Sequence, residues 1–321
     1  VRFFLTNEFG LLALIALFGL VFSFVTPGFA SPFNLFTLGR TMSIDIVIGF
    51  SMMVVIVTGG LNLAVGAIGV SSAMTCGWLL EHLGAPLPLA ILGAVAFGAF
   101  LGAINGVLIA KTGLHSFIIT LATMSIFFGA MIYLTHAQAF RVLTPEFSQF
   151  GKLKLFGNVS ALLFLAAAVG ALLSALYRFT PLGRQMLAAG AKAAAAELSG
   201  IRVGRTYTIC HALSGALAAV AAMMVVARNG AAIPSMAGQL GQDWLLPAFL
   251  GPVLGGTLLI GGRVSVLGAF LGSALVTMLT NGLLQLRVGE FWIQAALGIV
   301  LLIAVLLDLA RRSFLGQRAL G

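Results

Sequence analysis

The stretch RFTPLGRQMLAAGAKAAAAELSGIRVGR, residues 178–205, decides how the rest of the chain is read. It is the only long, basic, polar-punctuated block within a sequence that is otherwise almost wholly apolar. Arg178, Arg184, Lys192, Arg202 and Arg205 gather in it. Basic residues concentrated in a loop between membrane spans mark the cytoplasmic side. Inside the block, Met186 to Leu198 is Ala-rich, which predicts a short helix, and Gly200 supplies a stop two residues later. A short helix lying along the membrane surface between two spans suits docking onto a soluble partner. An ordinary connecting loop has the same composition.

Outward from this block the chain reads as membrane. Apolar residues make up 60% of the 321 and charged residues only 8%, whereas a soluble domain carries roughly 25% charged residues. Several apolar runs approach the ~20 residues that cross a hydrocarbon core. The 40 glycines fit helices that approach closely through small side chains. The net charge of +9 does not point to nucleic acid, because the basic residues sit at span ends and form no single stripe. Ten spans are expected, at roughly 11–26, 41–58, 61–80, 87–110, 115–134, 160–177, 206–228, 244–260, 264–286 and 291–308. With the N-terminus inside, cytoplasmic ends hold eleven basic residues: Arg2, Lys111, Arg178, Arg184, Lys192, Arg202, Arg205, Arg263, Arg311, Arg312 and Arg318. The other side holds six, Arg40, Arg141, Lys152, Lys154, Arg228 and Arg287. That excess places both termini in the cytoplasm. Parity agrees, since four predicted spans separate the basic block from the Arg311-Arg312 tail. The expected fold is an all-α polytopic membrane protein, one transmembrane domain over residues 1–321 with a cytoplasmic loop at 178–205.

Three runs of residues carry a family resemblance. Gly190-Ala191-Lys192-Ala193-Ala194-Ala195-Ala196-Glu197-Leu198-Ser199-Gly200-Ile201 resembles the coupling segment of bacterial importer permeases driven by an ATP-binding partner. Thr58-Gly59-Gly60-Leu61-Asn62-Leu63-Ala64-Val65-Gly66 resembles the Gly-Gly-Ile-Asp-Leu-Ser-Val-Gly signature of ribose-type carbohydrate permeases, with Asn62 for the usual Asp and Ala64 for the usual Ser. Leu254-Gly255-Gly256-Thr257, Gly261-Gly262-Arg263, Gly268 and Asn281-Gly282 follow that family's C-terminal pattern. The resemblance implies a permease subunit of the bacterial inner membrane, with no cofactor of its own. Its implied partners are an ATP-binding cassette subunit, an extracytoplasmic solute-binding protein, and a second permease copy or paralogue. The implied cargo is a pentose, hexose or related polyol. Ala193, Ala194, Glu197, Leu198, Ser199 and Gly200 are then the expected ATPase-coupling residues. Branched-chain amino-acid permeases are relatives, and their cargo is the nearest alternative.

The remaining chemistry is sparse. No Gly-x-x-x-x-Gly-Lys-Ser/Thr occurs, so the chain holds no P-loop of its own. His82, His115, His136 and His211 are scattered without metal-binding spacing. Cys76 and Cys210 fall near opposite ends of their spans, beyond the ~7 Å reach of a disulfide. A proton- or sodium-driven transporter usually carries ionisable groups within its spans, and Asp45 is the single credible one, close to the outer boundary and expected to be solvated. Nothing suggests an enzyme of the bilayer. Leu11 to Val25 has the length of a signal-peptide core, but Glu8 in the flank that should be basic argues for a retained span.

Irregular backbone points to the path. Thr58-Gly59-Gly60 joins two predicted spans with almost no loop, and Trp244 to Ile260 carries Pro247, Pro252, Gly251, Gly255 and Gly256. Membranes tolerate such breaks only where protein or a watery cavity satisfies the freed backbone, and broken helices commonly line transport paths. Gly59, Gly60 and Asn62 are therefore expected near the path. Asn105 and Asn281 recur in Asn-Gly contexts, each after a Gly-Ala-Phe-Leu-Gly run (98–102 and 268–272); they either join the path or bond between helices. The outer connection Thr135 to Asn158 mixes Phe140, Phe147 and Phe150 with charge, suiting either a binding-protein dock or an amphipathic element on the bilayer.

Overall fold

The computed structural model describes residues 7–141, 144–289, 291–303 and 306. Arg2, Asp308, Glu290 and the Arg311, Arg312 and Arg318 tail lie outside these residues. In chain order the helices are α1 (Asn7–Val25), α2 (Pro32–Ile56), α3 (Val65–Glu81), α4 (Leu87–Thr112), α5 (Ser116–Thr135) and α6 (Pro145–Lys152). A two-residue hairpin, β1 (Lys154–Leu155) with β2 (Val159–Ser160), precedes α7 (Ala161–Phe179), α8 (Pro181–Ala191) and α9 (Ala193–Leu198). The chain continues through α10 (Val203–Asn229), α11 (Leu245–Leu254), α12 (Val266–Gln285) and α13 (Phe291–Ile303).

Seven of these, α1, α2, α4, α5, α7, α10 and α12, are long and apolar enough to cross a membrane. Their ends follow local chemistry. Ser31 caps α2 with Pro32 at its first turn, His115 caps α5 through its ring, and Thr180 closes α7 while capping α8 ahead of Pro181. Gly113 and Gly230 end α4 and α10 in the left-handed conformation. Helices α2 and α10 are buried along most of their length, whereas α1, α4, α5 and α7 bury less than a third of theirs. Helices apolar on every side with exposed faces fit hydrocarbon as the surrounding solvent.

The packing has two halves. Helices α2 and α10 touch at the centre; α4 lies against α10 and α3, and α12 lies against α2 and α11. The two sets run in opposite directions. One end of the bundle gathers residues 57–60, 190–191 and 258–262, together with the Ser265 hydroxyl donating to Glu8. The other gathers Asn34 with Asn281 and Phe140 with Ala232. Helix α2 therefore runs toward the first end and α10 away from it. The Gly-Ala-Phe-Leu-Gly runs fall on the matched helices α4 and α12, but at different depths, so the repeated string does not mark equivalent positions.

Several expected boundaries move. The second span begins at Pro32, not near 41, because the Ser31-Pro32 cap starts it early. Thr58 to Gly60 is part of an eight-residue irregular segment, 57–64, and not a near-direct joint. Only Leu245–Leu254 of the expected 244–260 span is helical. The single helix expected over Met186 to Leu198 is two, broken at Lys192, whose backbone is extended (φ −162°, ψ 100°).

Candidate functional site

Two irregular segments enter the bundle from opposite ends and meet inside it. The first follows α2. Its backbone N–H groups have no strand partner, so side chains take that part: Leu61 N–H donates to Ser116 Oγ (2.8 Å) and Leu63 N–H to Thr120 Oγ1 (3.1 Å). Asn62 is fully buried; its Oδ1 accepts from Ala64 N–H (3.1 Å) and its Nδ2 donates to Ser214 Oγ on α10 (2.9 Å). An unpaired backbone amide here would cost several kcal/mol, which explains polar residues so deep in an apolar bundle.

The second segment, 230–244, turns back on itself. Its N–H groups are met mostly by its own carbonyls, Met236 to Ile233, Gly238 to Ser235 and Asp243 to Ala237. It anchors to the far end through the Phe140–Ala232 bridge. At the meeting point Gly241 lies against Gly66, and a Cβ on either would overlap the other's backbone; the Trp244 ring packs on Gly69. Helices α3 and α11 start from this crossing and diverge toward opposite ends. They are half-length elements made possible by the two segments.

The basic block sits at the end where the first segment leaves α2. Gly190 of α8 packs so tightly on the Val57 carbonyl and the Gly262 amide that no side chain could be added there. Gly262 N–H in turn donates to Val57 O (2.8 Å). One residue thus touches the turns after both α2 and α11. Beyond it, Ala189, Ala196 and Val203 form a small buried cluster that fixes α9. Ala194, Glu197, Ser199 and Gly200 are exposed, Leu198 is 93% exposed, and Ala193 is half-buried.

The three asparagines part company. Asn62 faces α10. Asn105, also fully buried, lies between the Gly102 and Gly106 contacts with α10, and neither end of its amide has a protein partner. Asn281 exchanges hydrogen bonds with Asn34 (3.1 and 3.2 Å) at the far end. Gly59 and Gly60 line a cavity of about 180 Å³.

At the far end, α6 packs onto the end of α10, with Gly151 against the Ala227 carbonyl and Phe147 buried. Lys154 and Arg40 both stack on the Phe36 ring. Sequence reasoning singled out Asp45 beneath them but not its partners. Asp45 is only half-exposed; it accepts a hydrogen bond from Thr277 (2.7 Å) and is electrostatically coupled to Arg228, which also reaches Thr41 (3.4 Å). The expectation of a freely solvated Asp45 is corrected: α12 and α10 each bring a partner to it. Cys76 and Cys210 are free and buried.

Comparison with known proteins meets this geometry. The family described as branched-chain amino acid transport system, permease component, matches residues 33–307. The ribose import permease protein RbsC of Bacillus subtilis is 38% identical over 293 residues, 90% of this chain and 88% of the relative. The chain belongs to the ribose-type permeases of ATP-binding-cassette importers. The Escherichia coli K12 RbsC is 32% identical over 95% of this chain and 94% of its own. The autoinducer 2 import system permease protein LsrD of Salmonella paratyphi B is 32% identical over 81% and 78%. No solved structure matches. The permease is a multi-pass protein of the inner membrane.

Proposed function

We propose that this permease forms the path through which an ATP-driven importer moves a neutral sugar or related polyol, with ATP hydrolysed by a separate cassette subunit. Relatives named for ribose and autoinducer 2 support that cargo class. Seven long helices plus the shorter α3, α11 and α13 amount to ten membrane-embedded elements, both termini lying in the cytoplasm beside the basic block. A solute-binding protein docks at the opposite face on α6 and the hairpin, and a second permease copy or paralogue completes the path.

The observation that carries the reading is the seat of Gly190 on both Val57 and Gly262. An ATPase gripping Ala193, Ala194, Glu197, Leu198, Ser199 and Gly200 would pull, through α8, on the turns that follow α2 and α11. Gly59 and Gly60 border the path at that end. Asn62 holds the first segment in register rather than contacting cargo in this conformation. A bound nucleotide can shift the bundle only by binding one state better than the other, and a single rigid contact to both turns supplies that difference.

The test is substitution of exposed coupling residues. Ala194→Arg and Leu198→Asp should leave insertion and thermal midpoint unchanged while abolishing binding-protein-stimulated ATP hydrolysis in the assembled complex. Full stimulated hydrolysis in both variants would sink the docking assignment.

A further inference from the structure

The cavity beside Gly59 and Gly60 is more than a gap between helices. Its polar lining comes from three places in the chain: Thr58 at the end of α2, His115 and Ser116 at the start of α5, and Tyr207 and His211 on α10. Ile109 and Leu114 close one side. At about 180 Å³ it far exceeds the ~10–15 Å³ that a single water needs. No Asp, Glu, Lys or Arg lines it. His211, part of that lining, is buried and its Nδ1 has no protein partner. An unpaired polar atom this deep in an apolar bundle is costly, and a polar occupant of the cavity accounts for it.

We infer that this cavity is a binding site for a neutral polyhydroxylated solute at the coupling end of the path, with His211, Tyr207, Thr58 and Ser116 as its hydrogen-bonding wall. The inference rests on the sugar-import reading and adds a defined site to it. Hydroxyls and imidazole exchange donors and acceptors with sugar hydroxyls. A zwitterionic amino acid would instead require two opposite charges, and none is supplied. Tyr207 also packs against the cluster that fixes α9. One wall of the cavity thus moves with the coupling helix, and displacement of that helix would loosen the site when the solute must leave.

The test uses the assembled complex in proteoliposomes. Uptake of D-ribose, D-galactose and L-leucine first identifies the imported probe. Leu114, an apolar and half-exposed part of the lining, is then replaced (Leu114→Cys) and its reaction with a small maleimide followed from the coupling side. With the imported sugar at about ten times its dissociation constant, about a tenth of sites stay empty and labelling should slow about tenfold. L-leucine should not protect, and His211→Leu or the milder Tyr207→Phe should weaken protection by the sugar. Sugar uptake without protection overturns the site and leaves the function standing. Equal protection by leucine, or undiminished protection in both variants, overturns the assigned chemistry, as does a cysteine that never labels. Failure to import any neutral sugar overturns the functional reading itself.

Discussion

The irregular segments 57–64 and 230–244 face one physical problem and meet it differently. Each carries non-helical backbone into an apolar bundle, where every N–H and C=O needs a partner. Segment 57–64 starts on the last carbonyls of α2, then borrows partners from distant helices where it runs deepest: Leu61 and Leu63 N–H donate to Ser116 and Thr120 on α5, and the Asn62 side chain to Ser214 on α10. Segment 230–244 turns on itself and uses its own carbonyls, with Gly238 and Gly241 at positive φ making the turns. The first is therefore tied to the motion of its neighbours, while the second is a self-contained plug anchored to the far end by Phe140 and Ala232. A transporter profits from that asymmetry. The segment that is wired to other helices is also the one whose start, at Val57, is packed under Gly190 of the basic block.

Breaking the crossing should have the largest effect, because it strikes both segments together. Gly66→Val places a side chain into the Gly241 backbone, and backbone pinned on two sides has no rotamer escape. Overpacking of ordinary cores costs about 1–3 kcal/mol; here the loss should exceed that and show as a collapse in recovered folded protein after detergent extraction. A Gly66→Val protein with normal yield and thermal midpoint would mean that the two segments do not support each other.

Asn62→Leu separates the two solutions. It removes the partners of Ala64 N–H and Ser214 Oγ, and each buried polar group left unsatisfied costs about 1–3 kcal/mol. The thermal midpoint should fall clearly, with uptake falling alongside. Uptake lost at an unchanged midpoint would return Asn62 to the path itself, in contact with cargo.

Much of this was legible in sequence, and what escaped has a physical cause. Apolar runs and basic clusters located the long helices and the basic block between α7 and α10, because membrane insertion responds to hydropathy and charge. Capping chemistry at Ser31-Pro32 was equally readable and shows why α2 starts early. Thr58-Gly59-Gly60 and the prolines and glycines of 244–260 flagged breaks, whereas 230–244 fell between two expected spans and passed as a connection. Their depth was hidden, because it is set by contacts such as Gly66 with Gly241, 175 positions apart by numbering. The exposed face of α9 was foreseen in composition, but the break at Lys192 was not, since an alanine-rich run carries no stop signal before Gly200. Asp45 could be picked out as an acid in a span, yet its partners Thr277 and Arg228 come from other helices and leave no local trace. Likewise Asn62, Asn105 and Asn281 look alike in sequence and differ only in what tertiary packing sets opposite them.

The smallest expected effect sharpens the comparison most. Thr120→Val keeps the shape of the side chain and deletes one acceptor for Leu63 N–H. Thr120 Oγ1 also donates to the Ser116 carbonyl within its own helix (2.7 Å), so the hydroxyl is held in place and pre-aimed. One backbone N–H is left without a partner, a cost of about 1–3 kcal/mol, smaller than for Asn62→Leu, which strands two groups; the thermal midpoint should fall modestly and insertion stay intact. The informative control is Gln239→Ala, an exposed side chain in the self-supporting segment, where a change within about 0.5 kcal/mol is expected. If the first segment works as a linkage, Thr120→Val should raise basal hydrolysis without binding protein and raise the ATP hydrolysed per solute imported. A slackened strut would let the coupling block move without the α5 helix following. Gln239→Ala should leave basal hydrolysis untouched. Equal basal rates in the two variants would show that side-chain wiring of 57–64 secures the fold alone and takes no part in coupling.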